Sequence, residues 1–178
     1  MTPDDLKALV RTVPDFPKPG IQFRDITTLI GNGPGLAASI AMLADQARGA
    51  GAEMIAGMEA RGFIFGAAVA AQLELGFVPV RKPGKLPVPV LAIDYALEYG
   101  TDTLEVDPGA IADGARVVII DDLIATGGTA LAATQLLRRA GAVVVHAMFV
   151  IDLPELGGAD KLRGAGVDVQ ALMAFAGH

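Results

Sequence analysis

The apolar residues of this chain fall into short, nearly continuous runs separated by stretches of helical periodicity. Runs over 53–57, 77–81, 116–120, 142–151 and 167–172 lack the alternation of a half-exposed strand. Such runs predict strands buried on both faces of a parallel sheet. Between them, Leu36, Ile40, Leu43 and Ala47 recur at helical spacing over 36–49, and an alanine-rich helix is predicted over 62–75. A third helix over 128–140 ends with Arg138 and Arg139 at its negative pole and Gly141 as terminator. At the start of the chain, Thr2 caps, Pro3 takes the first helical position and Asp4 and Asp5 favour the dipole. That helix should stop by Val13, because Pro14, Pro17 and Pro19 make 14–20 a stiff irregular segment. From 82 to 106, prolines alternate with glycine and small apolar residues, which predicts a long loop or hairpin acting as a lid. Strands alternating with helices give one α/β domain over 1–178, with a central, mostly parallel sheet flanked by helices.

Composition narrows the chemistry. The 178 residues carry a formal net charge of -6 and are 52% hydrophobic, ample for a core. The mean hydropathy of +0.49 raises the question of a membrane. However, the longest uncharged run, 26–44, is broken by Gly31-Asn32-Gly33-Pro34-Gly35, so no membrane partner is expected. A pI near 4.8 argues against a nucleic-acid partner, which needs a basic face. No cysteine and only two histidines, His146 and His178, leave no thiolate or multi-histidine metal chemistry. A metal here would be a hard ion held by oxygen, magnesium arriving with a phosphate substrate. The acidic amino terminus does not resemble a signal peptide, so a cytoplasmic location is the expectation. His146, inside an apolar strand, reads as a satisfied core residue.

The sharpest signal lies at 117–129, Val-Val-Ile-Ile-Asp-Asp-Leu-Ile-Ala-Thr-Gly-Gly-Thr. Here a buried strand ends in Asp121 and Asp122, and a small-residue turn opens onto a helix. Ligands of open α/β sheets bind at the carboxyl ends of strands. The first amides of a helix lack internal acceptors, and its dipole favours an anion. Gly127 and Gly128 admit a phosphate close to the backbone, while Thr126 and Thr129 add hydroxyl donors. Two carboxylates cannot touch that phosphate, but they suit sugar hydroxyls or hydrated magnesium. Phosphate, diol and metal together specify a phosphorylated sugar.

This run resembles the 5-phosphoribosyl-1-pyrophosphate (PRPP) motif of the type I phosphoribosyltransferases. Further segments recur in order along the chain: 15–27 (Asp-Phe-Pro-Lys-Pro-Gly-Ile-Gln-Phe-Arg-Asp-Ile-Thr), Glu59-Ala60-Arg61-Gly62-Phe63, Arg81-Lys82-Pro83-Gly84-Lys85-Leu86-Pro87 and Leu97-Glu98-Tyr99-Gly100. They are similar to the branch of the family that uses adenine. The resemblance implies conversion of adenine and PRPP to AMP and pyrophosphate, a step of purine salvage, with Mg²⁺, in a homodimer. It implies a hood over 1–34 and a flexible catalytic loop within 82–106. Ala125, Thr126, Gly127, Gly128 and Thr129 would hold the 5-phosphate, with Asp121 and Asp122 facing the ribose diol and Mg²⁺ near them. Arg61 would contact pyrophosphate, in a turn that often holds a non-proline cis peptide at Glu59-Ala60-Arg61. Lys85 would reach a pyrophosphate, within its own subunit or across a dimer interface. The Gln22-Phe23-Arg24 backbone would read adenine, Leu123 would pack on the base, and Glu98, with Tyr99 beside it, would sit near the base on the closing loop.

Some of these positions stand on chemistry alone. A guanidinium fork at Arg61 suits phosphate oxygens, and Arg81, Lys82 and Lys85 are the densest basic cluster of an acidic chain. Two other motifs fail. Gly31-Asn32-Gly33-Pro34-Gly35 lacks the third glycine of a dinucleotide fingerprint, where Leu36 stands. Gly84-Lys85 is followed by Leu86, not the serine or threonine of a phosphate-binding P-loop. The segment 88–94 is more apolar than the family pattern, and the Gln22 side-chain amide leaves base choice open between adenine and guanine, xanthine or orotate.

Overall fold

The computed structural model describes residues 1–177. Five parallel strands form the central sheet in the order β4-β3-β7-β8-β9. They are β3 (Met54–Met58), β4 (Gly76–Val80), β7 (Arg116–Ile124), β8 (Val143–Asp152) and β9 (Asp168–Ala174). Because each carries apolar side chains on both sides, the sheet is covered twice. One face packs on α1 (Pro3–Leu9), α2 (Thr27–Ile30), α3 (Gly33–Gly49) and α4 (Arg61–Gln72), through Leu6, Leu29, Leu43 and Phe65, all fully buried. The other packs on α5 (Gly128–Arg139) and α6 (Gly158–Gly164), through Leu136, Leu137 and Leu162. No helix among the described residues is long and apolar enough to cross a membrane.

Several expectations need correction. The first helix stops at Leu9 rather than near Val13: Arg11–Pro14 is strand β1, paired antiparallel with β2 (Gln22–Asp25). These strands have four residues each and few apolar positions, so periodicity did not mark them. Helix α6 was also unforeseen; its seven residues open on Gly157-Gly158 and carry no apolar stripe of useful length. The strand expected over 116–120 runs on to Ile124, because β8 keeps pairing with it as far as Ile124↔Asp152. Ladder hydrogen bonds are made by the backbone, so two acidic side chains do not end a strand. His146 is not a satisfied core residue: its ring is about a quarter exposed, and its Nδ1 lies 3.5 Å from Asp168 without a hydrogen bond.

Within 82–106, β5 (Leu91–Ala96) and β6 (Thr101–Val106) form an antiparallel hairpin. Ile93, Leu104 and Val106 are buried with the α5 side of the core. The hairpin stem is therefore part of the packed fold, leaving the Leu97–Gly100 tip and the 83–90 segment mostly exposed.

Candidate active site

The site forms where β7 runs out of the sheet. Along most of β7, even-numbered residues face α3 and α4 and odd-numbered ones face α5: Val118 and Ile120 belong to the first core, Val117 and Ile119 to the second. Past the two acids the order reverses, with Leu123 on the first side and Ile124 on the second. The partner strand shifts in step, since Phe149 faces α5 while Val150 and Ile151 both face the opposite side. Pairing is thus kept while Asp121 and Asp122 are turned into a cleft. A Cβ on Gly62 would sit 2.6 Å from an Asp121 carboxylate oxygen, so only glycine lets α4 approach there.

After Ile124 the chain turns through Ala125, Thr126 and Gly127 into α5. Gly127 has φ +80, and a Cβ on it would meet the Gly158 backbone at 2.8 Å. The Gly158 amide donates to the Ala125 carbonyl at 3.0 Å, tying the turn to the start of α6. The first bond into α5 runs from the Leu131 amide to the Gly127 carbonyl, and no side chain caps the helix. The amides of Gly128, Thr129 and Ala130 are therefore left facing the cleft at the positive pole of a twelve-residue helix. That is a seat for a phosphate dianion.

The cleft has a volume of about 480 Å³ and is lined by this turn, Asp121, Asp122, Leu123, Arg61 and Lys82. A second cleft of about 450 Å³ adjoins it beneath β1 and β2, lined by Phe16, Phe23, Arg24 and Ile64. The rings of Phe16 and Phe23 meet edge to face at 5.1 Å. The clefts share two residues, Arg61 and Asp122, whose Nε and Oδ2 are 2.6 Å apart. A polar pocket and an aromatic pocket thus meet at one ion pair. Asp122 is 5% exposed. Burial first, and the Asp122 charge second, hold the Asp121 carboxyl well above the usual carboxylate range.

The Glu59–Ala60 peptide is cis, as the resemblance implies. Glu59 accepts hydrogen bonds from the Lys82 amide and from Arg81 Nε at 3.3 Å, and the Lys82 amide foremost lowers its pKa. Of the basic cluster, Lys82 reaches the cleft wall, whereas Arg81 turns to Glu59 and the Phe63 ring. Lys85 is exposed and lines neither cleft.

The remaining expected residues are scattered more widely. Leu123 lines the phosphate-side cleft rather than the aromatic one. Phe23 and Arg24 line the aromatic cleft, and Gln22 lines neither. The Arg24 guanidinium is directed to Thr12, the Ala176 carbonyl and the Phe175 ring, which leaves its backbone as the part free to read a ligand. Glu98 and Tyr99 sit on the hairpin tip, both exposed and outside the two clefts. The Lys18 ammonium lies 4.9 Å from the Tyr99 ring, so tip and hood touch across the site. Sequence reasoning missed Glu59 as a brace and both Tyr95 and Asp102, which meet only through hairpin pairing.

Comparison with known proteins gives a consistent picture. The phosphoribosyl transferase domain family matches residues 27–163. The adenine phosphoribosyltransferase of Novosphingobium aromaticivorans is 74% identical over the full length of both chains. The crystal structure of adenine phosphoribosyltransferase from Thermoanaerobacter pseudethanolicus is 47% identical and superposes with a TM-score of 0.92, covering 98% of this chain and 100% of that one. The Saccharomyces cerevisiae enzyme, solved with an iminoaltritol bisphosphate and adenine, is 37% identical with a TM-score of 0.90, covering 96% and 98%.

Proposed function

Because the chain belongs to the adenine phosphoribosyltransferases, within the phosphoribosyl transferase domain family, we propose that its two clefts hold the two substrates of that reaction side by side. The enzyme transfers the 5-phosphoribosyl group from PRPP to adenine, giving AMP and pyrophosphate. The observation that carries the placement is the shared Arg61–Asp122 pair, which puts a phosphate seat and an aromatic pocket on either side of one ion pair.

The amides of α5 and the hydroxyls of Thr126 and Thr129 take the 5-phosphate, fixing the ribose over Asp121 and Asp122. Adenine lies in the cleft between Phe23 and Ile64, where the backbone of Gln22, Phe23 and Arg24 selects its edge. Its ring nitrogen attacks the anomeric carbon as the bond to pyrophosphate breaks. Asp121 and Asp122 place negative charge beside the sugar as it gains cationic character. Arg61 and Lys82 face the departing pyrophosphate. The proton lost from the adenine imidazole passes to Glu98 or to water beside it, once the hairpin tip moves from its exposed position. That closure keeps water from the activated sugar. Lys85, exposed and outside both clefts, serves pyrophosphate across the interface of a homodimer.

Among the described residues no three His, Asp or Glu side chains gather as a metal-ligand set. The two adjacent carboxylates therefore fit a magnesium ion that brings most of its oxygen ligands with it, from PRPP and water. When bound, Mg²⁺ neutralises charge on the pyrophosphate leaving group.

Mixing the purified protein with PRPP, magnesium and each nucleobase separately tests this reading: AMP forms with adenine, and guanine, xanthine and orotate neither react nor compete. A nucleotide of another base as the main product would reassign the aromatic cleft.

Two further outcomes are expected. Glu98→Gln lowers kcat by on the order of 100-fold while the KM for PRPP stays within about 3-fold. Loss of PRPP affinity with kcat retained would make Glu98 an anchor instead. The second concerns Asp121, whose pKa is raised in the free protein. A diol donating hydrogen bonds, or a metal ion, favours its ionised form, so PRPP binding releases a proton and strengthens as pH rises. Titration calorimetry of Mg·PRPP in two buffers of different ionisation enthalpy should show that release, and Asp121→Asn should abolish it. Identical enthalpies in both buffers would mean that Asp121 does not titrate on binding.

A further inference from the structure

Two cations line the phosphate-side cleft, Arg61 and Lys82, and both are already paired with carboxylates. The partner of Arg61 belongs to the catalytic acids. The partner of Lys82 is Asp102, on the hairpin and outside the cleft lining.

Asp102 is a junction. It sits directly opposite Tyr95 across the hairpin. Its Oδ2 takes the Lys82 ammonium and also a hydrogen bond of 3.2 Å from the Tyr95 hydroxyl. Its Oδ1 accepts from the Thr103 amide at 2.8 Å, which fixes the carboxylate plane. The Tyr95 hydroxyl in turn accepts from Thr129 Oγ1 at 3.4 Å, in the first turn of α5. The backbone of Lys82 is held from the other side by Glu59. One carboxylate thus links the lysine facing one end of the cleft to the hydroxyl facing the other.

A half-exposed ion pair contributes little to stability, commonly under about 1 kcal/mol. The chain nevertheless meets this one with a tyrosine and a backbone amide, so its use lies in placement. A lysine ammonium rides on four rotatable carbons and has no preferred direction unless something supplies it. Burial alone would lower the Lys82 pKa, yet the pairing with Asp102 holds it above the ordinary lysine value, and the Lys82 hydrogen bond holds Asp102 below its own. Both groups therefore stay charged throughout the neutral range.

We propose that Asp102 is a positioning residue for PRPP, aiming the Lys82 ammonium at the pyrophosphate and, through Tyr95, setting the Thr129 hydroxyl at the 5-phosphate. The proposal rests on the substrate assignment above and adds a residue that touches no substrate itself. Steady-state kinetics of Asp102→Asn tests it. The KM for PRPP should rise about 5- to 10-fold, with kcat and the KM for adenine within about 2-fold. In a Lys82→Met background the same substitution should have at most about 2-fold further effect, because the residue it acts through is gone. Tyr95→Phe should raise the KM for PRPP about 2- to 3-fold and carries the test if Asp102→Asn does not fold. An unchanged KM for PRPP in both variants, equal rises in both KM values, or a full multiplicative loss in the Lys82→Met background would overturn the proposal. A wild-type enzyme forming no AMP would instead contradict the substrate assignment.

Discussion

Replacing Gly127 by alanine is expected to raise the KM for PRPP by on the order of 100-fold and leave that for adenine within about 3-fold. Two costs combine. At φ +80 a side chain brings a penalty of roughly 1–2 kcal/mol. The new methyl would also stand 2.8 Å from the Gly158 Cα and carbonyl oxygen, backbone atoms that cannot swing aside. A total near 3 kcal/mol corresponds to about two decades. The turn relieves it by shifting the amides that face the phosphate. Gly114→Ala is the control: it shares a positive φ of 75 but meets nothing within 4 Å, so it should affect stability alone. A Gly127→Ala enzyme with normal PRPP kinetics would mean that the turn does not seat the phosphate.

The second large effect is at the junction of the clefts. Asp122→Asn should lower kcat/KM by on the order of 100-fold or more, about 3 kcal/mol of transition-state stabilisation. Asp122 is nearly buried and receives Arg61 Nε at 2.6 Å, so its charge both faces the sugar and orients the guanidinium. Arg61→Ala should cost a comparable factor, and the double variant should lose less than the product of the two, because the pair acts as a unit. Asp121→Asn should fall in the same range as Asp122→Asn. Unchanged steady-state kinetics in both aspartate variants would remove these carboxylates from the mechanism.

Much of this architecture is legible in the sequence, for a physical reason. A strand buried on both faces, such as Val117-Val118-Ile119-Ile120, must be continuously apolar, and only a parallel sheet uses strands that way. The phosphate turn is legible because its demands are local: a positive φ, close backbone approach and an uncapped helix start, all met by Thr126-Gly127-Gly128. What escaped depends on pairing between distant segments. The strands β1 and β2 are stabilised by each other, not by an apolar face of their own. The extension of β7 through Asp121 and Asp122 depends on β8 continuing beside it. Lys82 rather than Lys85 reaches the cleft because Glu59 and Asp102 grip it from two sides, contacts from residues 23 and 20 positions away. Glu98 and Tyr99 were drawn from resemblance alone, and the structure leaves them on the exposed tip.

The most direct test of the account is a crystal structure of the protein with AMP. The phosphate should lie within hydrogen-bonding distance of the amides at Gly128 and Thr129, the ribose hydroxyls against Asp121 and Asp122, and the adenine in the cleft lined by Phe23 and Ile64. A phosphate bound elsewhere, with those amides turned to solvent, would contradict it.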